Sequence, residues 1–525
     1  MPGLPAATVS GGSGPAVNRT GGWIARVFYP AGFGSDEAIV GSLDGGDPIL
    51  LHVPGTFGDL QQESLQSIAL ADDGSLLYNA TSTDLGTGAT SVFGLWRDDA
   101  PVALRGEPIA ALPGDVWLVP GIATALADGT LYWIGSYHPQ GSVLGNPSGQ
   151  ALFLGEPPAV IYKSGDSVPN LPNVLLGQPA SSTTVHAAHY TPDGSRHLVG
   201  VHTKPQSNPR WALILDGEGL LLDGLLAAEG VVLPPSMQVS GNEKWSALIA
   251  RGIAADGTYL FTGVTTAASS QNEVVVLDGE LLQREGGVVD GLSLQSSLEG
   301  ADLSDRADLV VAWRVDDPVL LPNPKTLFFN GRAVLQEGDA VDLDGDGAPD
   351  PDWTLHEIFK DTARLANDRS VYLRAEIENG PDERYAVLRL PIRDLELDTS
   401  SLSVAAGGTA TLNVFAPRDA GAELYLLLAS LSGTDPGIAL DGFTLPLNPD
   451  PLFNLTLNQP NSSFLSGSFG VLDTLHTAEA QFVLPPGLNA SLVGQTVSFA
   501  YVALGTSPAL FVASVSNAVG VLLAP

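Results

Sequence analysis

LADGTLYWIG, residues 126–135, sets a polar turn directly against an apolar strand. The Asp-Gly pair supplies a tight corner because glycine takes positive φ without a steric clash, and the aromatic and branched residues after it favour an extended chain. The phrase returns as ADDGSLLYNA (71–80), TPDGSRHLVG (191–200), AADGTYLFTG (254–263), SDRADLVVAW (304–313) and NDRSVYLRAE (367–376), with NRTGGWIARVF (18–28) as a first copy. With Asp73, Asp128, Asp193, Asp256, Asp305 and Asp368 as markers, the spacings are 55, 65, 63, 49 and 63 residues.

Between copies of this phrase runs a hairpin: FGLWRDDAPVALRGEPI (93–109), ALFLGEPPAVIYKSGDSV (151–168), ALILDGEGLLLDG (212–224), VVVLDGELLQREGGVV (274–289) and TLFFNGRAVLQEGDAV (326–341). Asp216-Gly217, Asp278-Gly279 and Asn330-Gly331 are two-residue hairpin turns by composition. A looser strand such as SSTTVHAAHY (181–190) leads into the next turn. Each unit thus holds three or four strands, and there are about seven units, give or take one. Repeats of this length and strand content predict a β-propeller over residues 18–392; a β-solenoid would have shorter and more uniform repeats. YAVLRLPI (385–392) is expected as an outer or closing strand.

After RDLELD (393–398) the character changes to alternating strands broken by Pro/Gly corners, which predicts an antiparallel β-sandwich over 393–525. The chain is therefore read as all-β: propeller, then sandwich. MPGLPAATVSGGSGP has neither a basic nor an apolar signal-peptide region, so residues 1–17 are expected to be a flexible leader, with no export signal in this chain.

Composition agrees. Across 525 residues, Gly 60 and Pro 39 beside 44% hydrophobic residues suit many short strands joined by turns. The absence of cysteine excludes disulfides, zinc–thiolate sites and thiol nucleophiles. A net charge of −35 disfavours nucleic acid as a partner, and no apolar run is long enough for a transmembrane segment.

The N-terminal repeats resemble bacterial secreted proteins built from tandem N-x-x-G-x-x-A-F repeats. Asn18-Arg19-Thr20-Gly21 keeps the N-x-x-G, other copies use Asp-Gly or Asn-Asp-Arg, and the hairpin matches best at 151–169. The C-terminal stretch looks like a domain at the ends of planctomycete and myxobacterial surface proteins, through LYLLLASLSGTDPGIALDGFTLPLNPDPLF (424–453) and SNAV (516–519). These resemblances imply export and an extracellular or cell-surface location, and no particular reaction.

One motif carries ligand chemistry. In DLDGDGAPD (342–350), Asp342, Asp344, Asp346 and Asp350 hold the first, third, fifth and ninth positions, Gly347 the turn position, and Ala348 offers a carbonyl at the seventh. Hard oxygen donors at this spacing suit Ca²⁺. The string resembles calcium loops of integrin-type propellers and thrombospondin-type repeats; it departs from an EF-hand, with Trp353 where a bidentate Glu would stand. A structural ion is expected, against the plainer reading of an acidic loop that binds nothing.

Four histidines gather in VHAAHYTPDGSRHLVGVH (185–202), where strand alternation lets at most two of them converge. The recurring tryptophans are read as blade packing. No G-x-S-x-G, H-E-x-x-H or phosphate-loop motif occurs, so catalytic residues stay unknown, although a glycosidase pair could be drawn from distant blades. The expected function is a non-catalytic, calcium-stabilised binding, adhesion or extracellular structural module. Its partners would be extracellular polysaccharide or a surface protein. The alternatives are a self-assembling filament or sheath subunit and a polysaccharide-active lyase or glycosidase.

Overall fold

The computed structural model describes residues 8–9, 14–31, 34–141, 149–171, 175, 184–203, 210–317, 323–343, 349–350 and 352–525. They fall into two compact units, Met1–Leu390 and Pro391–Pro525.

Among the described residues the first unit is a succession of seven four- or five-stranded antiparallel sheets, the blades of a β-propeller, with one further two-stranded hairpin, Leu221–Leu222 with Leu225–Leu226. Sheet 1 is Trp23–Ala31, Gly34–Ser42 and Ile49–His52. Residues expected to form a loose leader complete its inner edge: Thr8–Val9 and Ala16–Val17 both pair with Trp23–Ala31, their backbone groups satisfying that edge. Sheets 2 to 5 are meanders that begin with Leu60–Leu70, Asp115–Ala125, Val185–Tyr190 and Trp245–Ile253. Sheet 6 runs Leu292–Leu303, Leu309–Asp316, Lys325–Phe329 and Arg332–Gln336. In sheet 7, Thr354–Ile358 and Arg364–Leu365 share one edge of Ser370–Asn379, and Asp382–Pro391 takes the other.

The hairpin turns hold positive φ at both central residues, as type I′ turns require: Asp216 49° and Gly217 93°, Asp278 49° and Gly279 82°, Asn330 45° and Gly331 80°. Trp96, Trp133, Trp245 and Trp313 are fully buried in sheets 2, 3, 5 and 6, so these tryptophans are packing residues.

The repeated phrase is the turn from first to second strand of each sheet. Its ends exchange backbone bonds, as in Ala71 N to Ser75 O (3.0 Å), Leu126 N to Thr130 O (2.8 Å) and Ala366 N to Ser370 O (3.0 Å). In sheets 1, 3, 5, 6 and 7 the second residue of the turn then reaches the next sheet. Arg19 N donates to Asp72 Oδ1 (2.9 Å), Ala127 N to Pro192 O (3.0 Å), Ala255 N to Asp305 O (2.9 Å) and Asp305 N to Asn367 Oδ1 (3.0 Å). Asn367 N reaches Arg19 O at 3.3 Å and Tyr372 Oη reaches Gly21 O at 2.7 Å, so the last sheet meets the first and the ring closes. Among the described residues no strand passes from one of these two sheets into the other; Asp382–Pro391 is an outer strand of sheet 7.

The second unit is a β-sandwich. One sheet orders Leu395–Leu397, Gly408–Phe415, Thr477–Leu484 and Leu465–Ser466; the other centres on Thr496–Gly505 between Leu424–Ser430 and Val519–Ala524. Leu412, Val414 and Phe482 of the first sheet share a buried core with Leu427, Phe499, Tyr501 and Val521 of the second. Two features depart from a purely antiparallel sandwich: Ser401–Ser403 pairs parallel with Val519–Ala524, and Pro451–Asn458 is an α-helix. Asp450 caps that helix, accepting Phe453 N (2.7 Å) on one oxygen and Leu431 N (2.6 Å) and Ser432 N (2.9 Å) on the other. In the SNAV string, Asn517 Oδ1 accepts Leu395 N and its Nδ2 donates to Leu395 O, both at 3.0 Å, tying the last strands to the first. No helix among the described residues is long and apolar enough to cross a membrane.

Candidate functional site

Because the seven turns ring one end of the propeller, their side chains converge on its axis. A cavity of about 200 Å³ lies there, and every sheet contributes to its lining. One side is a closed ion-pair bridge. Arg19 holds Asp72 through Nη1 (2.9 Å) and Asp305 through Nε (2.6 Å), with Asn367 Nδ2 donating to Asp305 Oδ2 at 3.1 Å. Burial nonetheless pushes the Asp305 carboxyl above its ordinary value, because desolvation outweighs the nearby guanidinium.

The other side carries Arg251, Arg364, His189 and Asp302. Arg251 donates Nη1 to Asp361 (2.7 Å) and Nε to Thr262 Oγ1 (3.0 Å). Arg364 donates Nη1 to the Ala363 carbonyl at 2.8 Å. Asp302 Oδ2 accepts Leu365 N at 2.9 Å, and burial raises its pKa, opposed by Arg364. His189 Nε2 meets the Ala250 carbonyl at 3.3 Å; burial first, and the two arginines after it, push its pKa down to about 4, so the ring is neutral near pH 7.

The remaining histidines are packing and hydrogen-bonding groups. His186 and His202 converge, ring centroids 5.2 Å apart, each edge-on to Trp211. His197 shares a 2.7 Å hydrogen bond with Tyr162. His189 alone of the four lines the cavity. Among the described residues no group of three or more His, Asp or Glu could hold a metal ion.

The aspartate motif falls in the connection from sheet 6 to sheet 7, and its described residues do not line the cavity. Its neck is closed by backbone bonds: Asp350 N donates to Val341 O (2.8 Å), and Val341 N to Trp353 O (3.1 Å). Asp350 Oδ2 accepts Leu343 N at 2.8 Å. Asp342 and Asp350, the first and last donors of the motif, therefore flank one neck. Asp344, Asp346 and Ala348 lie outside the described residues.

Sequence reasoning named the aspartate loop and missed the axial set. Arg251, Asp302 and Arg364 belong to no motif, and Arg19 holds only an unspecified position of the N-x-x-G string. The one available signal was that the second residue of the turn is charged or an amide in sheets 1, 2, 6 and 7: Arg19, Asp72, Asp305 and Asn367.

No protein-family model matches the chain, and no curated protein matches it by sequence. Among solved structures, prolyl oligopeptidase B from Galerina marginata aligns at 11% identity and a TM-score of 0.37, over 78% of this chain and 55% of that one. The chain thus spans about half the length of that peptidase. The β-propeller domain of the Trilobed protease from Pyrococcus furiosus aligns at 12% identity and a TM-score of 0.34, over 72% of this chain and 94% of that one. The Dos1 propeller aligns at 13% and 0.29, over 69% and 74%. The propeller described above rests on this chain's own sheet order and closure.

Proposed function

We propose that this chain is a non-catalytic, secreted or surface-displayed module whose propeller presents a binding face and is fastened by calcium at Asp342, Asp344, Asp346, Asp350 and the Ala348 carbonyl. The observation that supports the calcium reading is the closed neck at Val341–Asp350 and Leu343–Asp350, which sets Asp342 and Asp350, the first and last residues of the motif, at one place along the backbone. Carboxylates gathered in one loop repel one another, and a divalent ion relieves that repulsion. The resemblance of the repeats to secreted N-x-x-G-x-x-A-F proteins, and of residues 424–453 and 516–519 to surface-protein domains, supports an extracellular location. Extracellular polysaccharide or a surface protein is the partner class that fits it.

Support for binding over glycoside chemistry comes from Arg19, which engages both Asp72 and Asp305. A glycosidase keeps one carboxyl protonated and available beside a second, free carboxylate.

Thermal melts with calcium and with a chelator test the reading. Calcium at a hundredfold excess over its Kd adds about 3 kcal/mol, so the chelated protein should melt lower, with calcium restoring the loss and magnesium restoring it poorly. Superimposable melts would overturn the calcium fastening, as would an Asp344→Asn, Asp346→Asn double variant that keeps the full calcium response.

A further inference from the structure

The axial cavity is asymmetric in how its charges are used. On the Arg19 side each charge has its counter-charge in hydrogen-bond contact. On the other side Arg364 lines the cavity, gives Nη1 to the Ala363 carbonyl and interacts electrostatically with the buried Asp302 carboxylate, with no hydrogen bond between the two among the described residues. Arg251, next to it, has Nη1 and Nε engaged and keeps Nη2. A guanidinium has five N–H donors in a planar fork that matches a carboxylate or phosphate edge. Arg251 is ion-paired with Asp361, so the open part of the Arg364 fork and Arg251 Nη2, beside a neutral His189, form a local anion site in a chain that carries −35 overall with 23 basic residues.

The same walls restrict which anion fits. Asp72, Asp302 and Asp305 also line the cavity. A dianion such as phosphate would meet all three, whereas a monocarboxylate with hydroxyl groups would use the aspartate oxygens as acceptors. The volume of about 200 Å³ equals that of roughly six or seven liquid waters, enough for one hydroxy acid or one sugar ring. Partial exposure of Arg19 (21%) and Asp305 (18%) shows that solvent reaches the site.

We propose that the propeller axis binds a small polyhydroxylated monocarboxylate, of the uronic acid class, with its carboxylate on Arg364 and Arg251 and its hydroxyls on the axial aspartates. None of the described residues of the 342–350 loop lines the cavity.

The test is isothermal titration of the whole chain with D-galacturonate, D-galactose and inorganic phosphate. Galacturonate should bind one to one, at least tenfold more tightly than either of the others. Arg364→Gln, with an unchanged melting curve, should weaken galacturonate by roughly tenfold or more, because a charge-assisted pair is lost; Lys163→Gln, at a half-exposed residue outside the cavity lining, should leave it unchanged. No galacturonate binding at tens of millimolar, equal binding of galactose, or equal or tighter phosphate binding would each overturn the proposal. The discrimination by the wild-type protein decides the matter even where Arg364→Gln fails to fold.

Discussion

Sheets 2 to 5 and the closing seam, formed by sheets 6, 7 and 1, share the same turn but differ in the residue at its fourth place and in the buried charges that cross between sheets; Asp368 of sheet 7 still accepts Ser370 N at 2.9 Å. In sheets 2 to 5 the turn carries Asp-Gly and its carboxylate stays local: Asp73, Asp128, Asp193 and Asp256 each accept the N–H two residues on, at 2.9, 2.9, 3.0 and 2.8 Å. The glycines Gly74, Gly129, Gly194 and Gly257 take φ between 70° and 90°. In sheets 6 and 7 that place is held by Ala307 and Arg369, both at φ 64° despite having side chains. Arg369 puts its guanidinium bidentate on Asp308 of sheet 6 (Nε to Oδ2 and Nη2 to Oδ1, both 3.0 Å), with the two side chains 5% and 1% exposed. Arg19 of sheet 1 likewise reaches Asp305 of sheet 6. The buried Arg369–Asp308 pair and the Arg19–Asp305 pair both belong to sheets 6, 7 and 1, whereas an ion pair between sheets 2 and 3, Arg97 Nη1 with Glu156 at 3.7 Å, is partly exposed.

This contrast can be broken at several places. Asp308→Ala strips the counter-charge from buried Arg369 and leaves Asn330 Nδ2 without the acceptor it holds at 2.8 Å. An uncompensated buried charge costs about 3–5 kcal/mol, and the loss should appear in urea unfolding, with hydrogen exchange rising first in sheets 6, 7 and 1. A loss under about 1 kcal/mol, the level of an exposed pair, would mean that the seam needs no ionic tie.

Acid should attack the opposite side of the ring. Burial holds His186 near pKa 3 and His189 near 4, against 6.5 when free. A depressed histidine pKa contributes stability above pH 6.5 that is lost as pH falls toward the folded value, since the unfolded chain binds the extra protons. Unfolding measured from pH 7 to pH 4 should lose stability, with a slope of up to about two protons from this pair. The His186→Phe, His189→Asn double variant should flatten the slope, and an unchanged slope would remove sheet 4 as the acid-sensitive element.

The smallest effect is expected at a local turn. Gly74→Ala places a side chain at φ 86° with only Leu43 Cδ1 nearby, at 3.6 Å. The left-handed conformation then costs about 1–2 kcal/mol, read as a lowered midpoint in the same urea titration. A cost above that of Asp308→Ala would reverse the contrast between local turns and the seam.

Much of this fold is written locally. Asp-Gly before an apolar strand and Asn-Gly between two strands specify turns through φ preferences that need no distant partner, so the repeat and its hairpins were legible. The marker at Asp305 shows where that reading slips: the turn runs from Ser304 to Asp308, so Arg306 occupies the place of Asp73, and Asp305 sits one residue earlier, facing Arg19. The acidic loop at 342–350 was legible for the same reason as the turns, because its donors lie within nine residues.

By itself, then, the sequence determined the strand-and-turn unit, the change of character after the repeats, and the aspartate loop, all features whose physics is complete within a few consecutive residues. Only the tertiary structure decided how the ring closes, which leader residues join sheet 1, and which side chains share the axis. Arg19, Arg251, Asp302 and Arg364 are separated by up to 345 positions, and each sits in a strand or turn where its charge has no local purpose. The ring of turns brings them to one cavity, and their proximity follows from closure of the sheets.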